Sequence, residues 1–266
     1  MLSIVSVAST YFITISTAQQ KVIPPLLDYQ TGGTLYMQKA AEYRALTYQA
    51  YNIARWQLDD DLKNSKRLSK KERKRPRAVM LDIDETVLDN SPAQAKDIIN
   101  GTPFNSKEWY AWGEMRKAKA VPGSVDFVNY AVDKGVKVYF VSNRDMVQKP
   151  ATMDNLKSLG IKNITLENVM LRDKISSKEA RKQYIESKYR IVLLVGDNLD
   201  DFSNKFEKRS IDDRFTETDA DRDLWGKRFI VIPNVMYGTW ENAIYDYERL
   251  SDEQKAESRA SALELP

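Results

Sequence analysis

Cysteine and histidine are both missing from this chain of 266 residues. Without Cys there are no disulfides, thiolate nucleophiles or zinc–sulfur sites. Without His there is no Ser-His-Asp triad, imidazole metal ligand or phosphohistidine chemistry. Any catalysis must therefore run on carboxylates, Lys, Tyr, Ser or Thr, together with a hard cation that prefers oxygen. Charge of one sign is also scarce. The 41 basic and 38 acidic side chains leave a formal +3, so a nucleic acid polymer is not expected as a partner. The first twenty residues carry no charged side chain. Met1 to Ala18 is mainly apolar with Ser and Thr, and Ser16-Thr17-Ala18 resembles a signal-peptidase site. Residues 1–18 are thus expected to be an export signal or N-terminal anchor, although a basic leading region is lacking. No later segment is long and apolar enough to span a bilayer.

What is present points to a folded α/β chain, since 42% of the residues are apolar. Residues 19–77 read as an N-terminal helical segment and a basic linker. From Thr34 to Leu62, Tyr36, Ala40, Tyr43, Leu46, Ala50, Ile53 and Trp56 recur at steps of three and four, with no Pro or Gly after Leu35. Lys63 to Arg77 holds nine basic residues and one acidic. Without interleaved aromatics it reads as a solvated linker ahead of a polyanion-binding patch. The main domain spans 78–240. Continuous apolar runs at Ala78–Leu81, Val136–Val141, Ile191–Val195 and Phe229–Ile232 read as strands buried on both faces. Helical stretches at Ser124–Lys134, Pro150–Leu159 and Ser177–Lys188 separate them, which predicts a parallel sheet with crossovers. Residues 241–266 read as a C-terminal helical tail.

Each of the first three runs ends in a polar cluster: Asp82-Ile83-Asp84-Glu85-Thr86, then Ser142-Asn143-Arg144, then Gly196-Asp197-Asn198-Leu199-Asp200-Asp201. Ligands of open parallel sheets bind beyond the carboxyl ends of the strands, so the three clusters should share one crevice. Asp82 and Asp84 point the same way in extended chain, and their repulsion is relieved by a divalent cation. Asp197 would add a ligand, with Asp201 facing the same site. Oxygen ligands alone favour Mg²⁺. Asp82 is then the candidate nucleophile, able to take a phosphoryl group and lose it to water. Asp84 is the candidate acid and base, a nearby Lys would offset charge, and Ser142 and the Asn143 amide would donate to phosphate oxygens. A lone Asp-x-Asp also occurs in loops, and Asp197 and Asp200 could cap helices. Clusters after three separate buried strands are what capping does not require.

Assembled in this way, the chain resembles the haloacid dehalogenase superfamily. More narrowly it resembles the class C nonspecific acid phosphatases, a bacterial cell-envelope group with four motif aspartates that includes lipoprotein 5′-nucleotidases. The specific stretches are Leu81 to Ser91 and Val195 to Phe202. The resemblance implies a Rossmann-like parallel sheet flanked by helices, with an additional helical subdomain. It implies that Asp82 is the nucleophile and Asp84 the acid/base. The Asp82 side chain, the Asp84 carbonyl and Asp197 would hold Mg²⁺, with Asp201 in support. Ser142, Asn143 and Arg144 match the second motif. Lys178 matches the third-motif lysine, with Lys174 as the alternative. Trp109 and Tyr237 match aromatics that stack on a base or aryl group, although core packing would explain them equally. The implied activity is an exported acid phosphatase acting on nucleoside monophosphates and aryl phosphates. The rival is a non-catalytic cell-envelope binding or storage protein that keeps the fold. Membrane association through the N-terminus and homodimer formation stay open. Lack of Cys excludes the relatives' lipid anchor, Ile83 replaces the usual Leu, and Ala93 or Ala95 stands near a position where relatives often carry Tyr.

Overall fold

In the computed structural model, residues 27–266 are described. The expected export signal or anchor over residues 1–18 lies outside the described residues. Two helices open the described chain, α1 (Asp28–Lys39) and α2 (Ala41–Asn64). The periodicity from Thr34 to Leu62 predicts one helix, but Ala40 is extended at ψ 127° and breaks it. Nothing in the local sequence marks the break. It lets α1 turn back over the molecule, where Met37, Tyr43 and Met236 form a small core of their own. Gly33 is needed in α1 for the same reason, since a Cβ there would run into the Val235 carbonyl.

The basic stretch is only partly a solvated linker. A 3₁₀ turn (Ser65–Arg67) and the short α3 (Lys70–Arg73) carry its exposed cations, and Ser69 with Glu72 closes a capping box. Its last two arginines are anchored instead. Arg75 donates to the Tyr189 carbonyl at 2.5 Å, and Arg77 donates to Asp61.

Five parallel strands follow in the order β5-β4-β1-β6-β7. They are β1 (Arg77–Leu81), β4 (Lys137–Asp145), β5 (Val169–Arg172), β6 (Arg190–Gly196) and β7 (Phe229–Val231). The apolar runs anticipated all but β5. A two-stranded ladder, β2 (Leu88–Asp89) with β3 (Lys119–Ala120), was not anticipated either. Alternation splits the sheet's side chains between two cores. Val79 and Leu81 face α2, α6 (Ser124–Asp133) and α7 (Lys149–Ser158), where Ala54, Leu58, Val128 and Leu156 are fully buried. Ala78 and Met80 face Ile185 of α8 (Glu179–Lys188) and the cluster of Phe202 and Phe229. Helix α2 therefore belongs to the main core.

The register sets up the site. Leu81 of central β1 pairs with Phe140 of β4 on one side and with Val195 of β6 on the other. Asp82, Ser142 and Asp197 thus emerge at one level, on the three adjacent carboxyl ends. Above that rim lie α1, α4 (Ser91–Asn100) and α5 (Ser106–Met115), with α10 (Thr239–Ile244) and α11 (Asp252–Ser261) from the C-terminal segment. Helix α9 (Ile211–Ala220) follows the 3₁₀ turns after β6 and packs against α10. Helix α10 begins before residue 241, so it straddles the expected start of the tail. No described helix is long and apolar enough to cross a membrane.

Candidate active site

One cavity of about 620 Å³ opens at the carboxyl ends of β1, β4 and β6. Its lining takes in Asp82, Asp84, Trp109, Ser142, Asn143, Arg144, Lys178, Asp197, Asp201 and Tyr237, so the structure brings every candidate residue of the sequence to one place. Lys174, the alternative third-motif lysine, is exposed and outside the lining.

The floor is acidic. Asp82, Asp197 and Asp201 each offer a carboxylate oxygen, and these oxygens lie within 4.8 Å of one another. Lys178, buried like Asp82, donates to both Asp82 and Asp201, the second at 2.7 Å. Burial pushes the Asp82 carboxyl up, and Asp201, Asp197 and Asp84 add to this while Lys178 opposes it. Asp197 is pushed up to about 7, first by burial and then by Asp201. Burial would lower Lys178, but the two carboxylates outweigh it and hold the ammonium charged. With all three carboxyls ionised, the one ammonium leaves the floor with two negative charges in excess. The residues fit an oxygen-preferring divalent cation on that ground, and the donor set contains no softer atom. Asp201 reaches the floor from a 3₁₀ turn (Leu199–Asp201) whose capping box returns its Oδ2 to the Asn198 amide at 3.0 Å. A Cβ at Gly196 would sit 2.5 Å from that of Asp201, so only glycine fits there.

Asp84 belongs to a second set. Its carboxylate is absent from the three-oxygen cluster. It accepts from Ser142 Oγ at 3.0 Å, from Asn90 Nδ2 at 2.9 Å and from Arg144 Nε at 2.9 Å, with Arg144 Nη2 at ion-pair distance, 2.7 Å. Of Asp84, only the backbone carbonyl that the resemblance implies is left for a cation. Arg144, expected on substrate, has its nitrogens engaged by the protein: Nε on Asp84, Nη1 on Thr152 at 3.1 Å and Nη2 also on Asn90 at 3.2 Å. The second-motif residues form the end of β4. Pleating buries Ser142 and Arg144 and leaves Asn143 exposed, where its Oδ1 accepts from Arg181 at 2.7 Å.

Several residues escape a sequence reading. Asn90 links Asp84, Arg144 and Trp112. Glu85 is fully buried at φ +56° and receives the Tyr237 hydroxyl and the Asn90 amide. Burial and then Asp84 push its carboxyl up. Thr86 and Asn234 donate to Asp197 at 3.1 and 2.9 Å. Arg181 also holds the Ser142 carbonyl at 2.6 Å. Glu85, Thr86 and Asn90 lie inside the Leu81 to Ser91 stretch, so the signal was at hand; Arg181 and Asn234 had none. Trp109 sits 6.1 Å from Phe104, ring to ring, and carries the Arg144 guanidinium 5.4 Å from its centroid.

Comparison with known proteins bears on this arrangement. The family model of HAD superfamily, subfamily IIIB (acid phosphatase) matches residues 5–240. Two structures of the class C acid phosphatase from Bacillus anthracis, the second with tungstate bound, are 38% identical. They superpose with TM-scores of 0.84 and 0.83, over 90% of this chain and 98% of theirs. The stem 28 kDa glycoprotein of Glycine max is 32% identical over 131 residues, which is 46% of this chain and 51% of that protein. The chain spans about half the length of the curated relatives it matches.

Proposed function

Because the chain belongs to the acid phosphatases of HAD subfamily IIIB, we propose that it hydrolyses small phosphate monoesters through a phospho-aspartyl intermediate on Asp82. The observation that carries this reading is the division of the cavity floor into two sets. Asp82 stands with Asp197, Asp201 and Lys178, whereas Asp84 is held apart by Ser142, Asn90 and Arg144. A nucleophile and an acid/base two residues apart thereby receive different surroundings, which is how one site runs both chemistries.

An Asp82 oxygen attacks phosphorus, and the bond from phosphorus to the leaving alkoxide breaks. Asp84 gives its proton to that alkoxide. In the second half, Asp84 takes a proton from water, the water oxygen attacks the phosphoryl group, and the Asp82 carboxylate leaves with phosphate released. Asp82, Asp197, Asp201 and the Asp84 carbonyl would hold Mg²⁺, which supplies charge balance for the floor and for the phosphoryl oxygens. Lys178 adds its own charge beside Asp82. Arg144 orients Asp84, and Ser142 shares its hydroxyl with that carboxylate. The relative solved with tungstate suits a floor made for a tetrahedral oxyanion. Trp109, Phe104 and Tyr237 offer apolar faces to the leaving group, which fits nucleoside and aryl monoesters. Export, for which the uncharged run up to Ala18 speaks, would place the enzyme outside the cytoplasm.

The test is phosphate release from an aryl phosphate with Mg²⁺, in excess chelator, and by Asp82→Asn. Activity should depend on Mg²⁺ and fall by at least about 10³-fold in the variant. Full turnover in chelator or by Asp82→Asn would defeat the mechanism.

A further inference from the structure

At about 620 Å³ the cavity is larger than a phosphate and an aromatic ring require. Part of its lining comes from α1, α10 and α11, and the reaction above uses none of it. Arg259 lies flat over Tyr29, its guanidinium carbon 3.7 Å from the ring centroid, and its Nη1 donates to the Tyr245 hydroxyl at 2.7 Å. Lys255 sits one turn earlier on the same face of α11, its ammonium 5.7 Å from the Tyr245 ring. Both line the cavity.

These two cations have no carboxylate within ion-pair distance among the described residues. Residues 1–26 contain no Asp or Glu that could supply one. The buried Glu241 in the same wall is met by two phenols, Tyr29 at 2.9 Å and Tyr245 at 2.8 Å, and does not pair with Arg259. Asp252 also lines the cavity, three residues before Lys255, without closing a pair. A guanidinium stacked on one ring and bonded at one nitrogen is already oriented, and its remaining N–H edge is a fork for an oxyanion.

We propose that Lys255 and Arg259 form a distal anion subsite, selecting phosphomonoesters whose leaving group carries a second acid, a carboxylate or a phosphate, at its far end. The proposal rests on the phosphatase reading and adds a substrate class to it. The cavity's 620 Å³ is of the size that holds a nucleotide-sized ligand.

Four compounds test it at two lengths: 4-carboxyphenyl phosphate, 4′-carboxybiphenyl-4-yl phosphate and the neutral carboxamide of each. The wild type should prefer the acid over its amide by about tenfold in kcat/KM at one length or both, mainly through KM. Lys255→Gln with Arg259→Gln should bring that ratio to about one, and Arg259→Lys should retain part of it. The ratio is taken on one preparation, so it does not depend on how much of a variant is folded. Should Arg259→Gln yield no folded protein, Lys255→Gln alone must still lower the ratio. Equal kcat/KM for acid and amide at both lengths in the wild type would overturn the subsite and leave the phosphatase reading standing. An unchanged ratio in the variants would overturn it too. No phosphate released from any of the four would overturn both.

Discussion

On the proposed mechanism Asp84 can be an acid and base only if its carboxylate stays where the leaving oxygen arrives, and three residues from two elements hold it there. Ser142 and Arg144 come from β4, Asn90 from the start of α4. Across the floor a steric device does the same for Asp201. Gly196 leaves room for that side chain, which a methyl group would occupy. Gly196→Ala should therefore displace Asp201 and deprive Lys178 of one partner. The expected outcome is a cation affinity weakened by about 10- to 100-fold, read from the Mg²⁺ dependence of phosphate release, with activity recovering at high Mg²⁺. Asp82, Asp84 and Asp197 were legible because each lies within three residues of the end of a buried apolar run. Arg181 and the wall residues Tyr29 and Arg259 were not, since their meaning comes from chain distant in sequence.

At the scale of elements, the base of the sheet is tied to α2 by a charged clamp. Asp61 receives Arg77 of β1 and, at 2.7 Å through two nitrogens, Arg190 of β6. Burial pushes the Asp61 carboxyl up, but Arg190 and Arg77 more than reverse this and hold it below its ordinary 3.8. A carboxyl lowered on folding contributes stability that is complete above its unfolded value and fades as pH falls below it. Asp61→Asn should cost about 1–3 kcal/mol near pH 7, and the gap to wild type should narrow below about pH 4. Urea melts at pH 7, 5 and 3.5 read it directly, and a constant gap would contradict it. The elements themselves were legible where burial is two-sided. Strand β5 was missed because only Val169 and Leu171 of its four residues are buried, the half-exposed signature of an edge. The break at Ala40 was missed because a helix can end on tertiary contacts alone, without Gly or Pro.

For the whole molecule, the acidic floor turns cation binding into fold stability. Asp82, Asp197 and Glu85 hold protons in the metal-free fold more tightly than an unfolded chain would. A carboxyl raised on folding favours the fold below its unfolded value, and that contribution is lost as pH rises through the folded one. In chelator, the melting temperature should therefore decline as pH rises from about 4 through 7. Mg²⁺ should raise it more at pH 8 than at pH 5, and at a hundred times its dissociation constant the ion adds about 2.7 kcal/mol of stability. Thermal melts with and without the ion check this; identical Mg²⁺ effects at both pH values would speak against it.

Tyr29 and Arg259, far apart in sequence, meet in the wall of the cavity. A polypeptide still emerging from the ribosome already owns the groups that would handle phosphate by the time Asp201 is made, yet α11 is still to come. On the proposed reading, discrimination among leaving groups thus reaches the growing molecule only after its phosphate-handling groups are made.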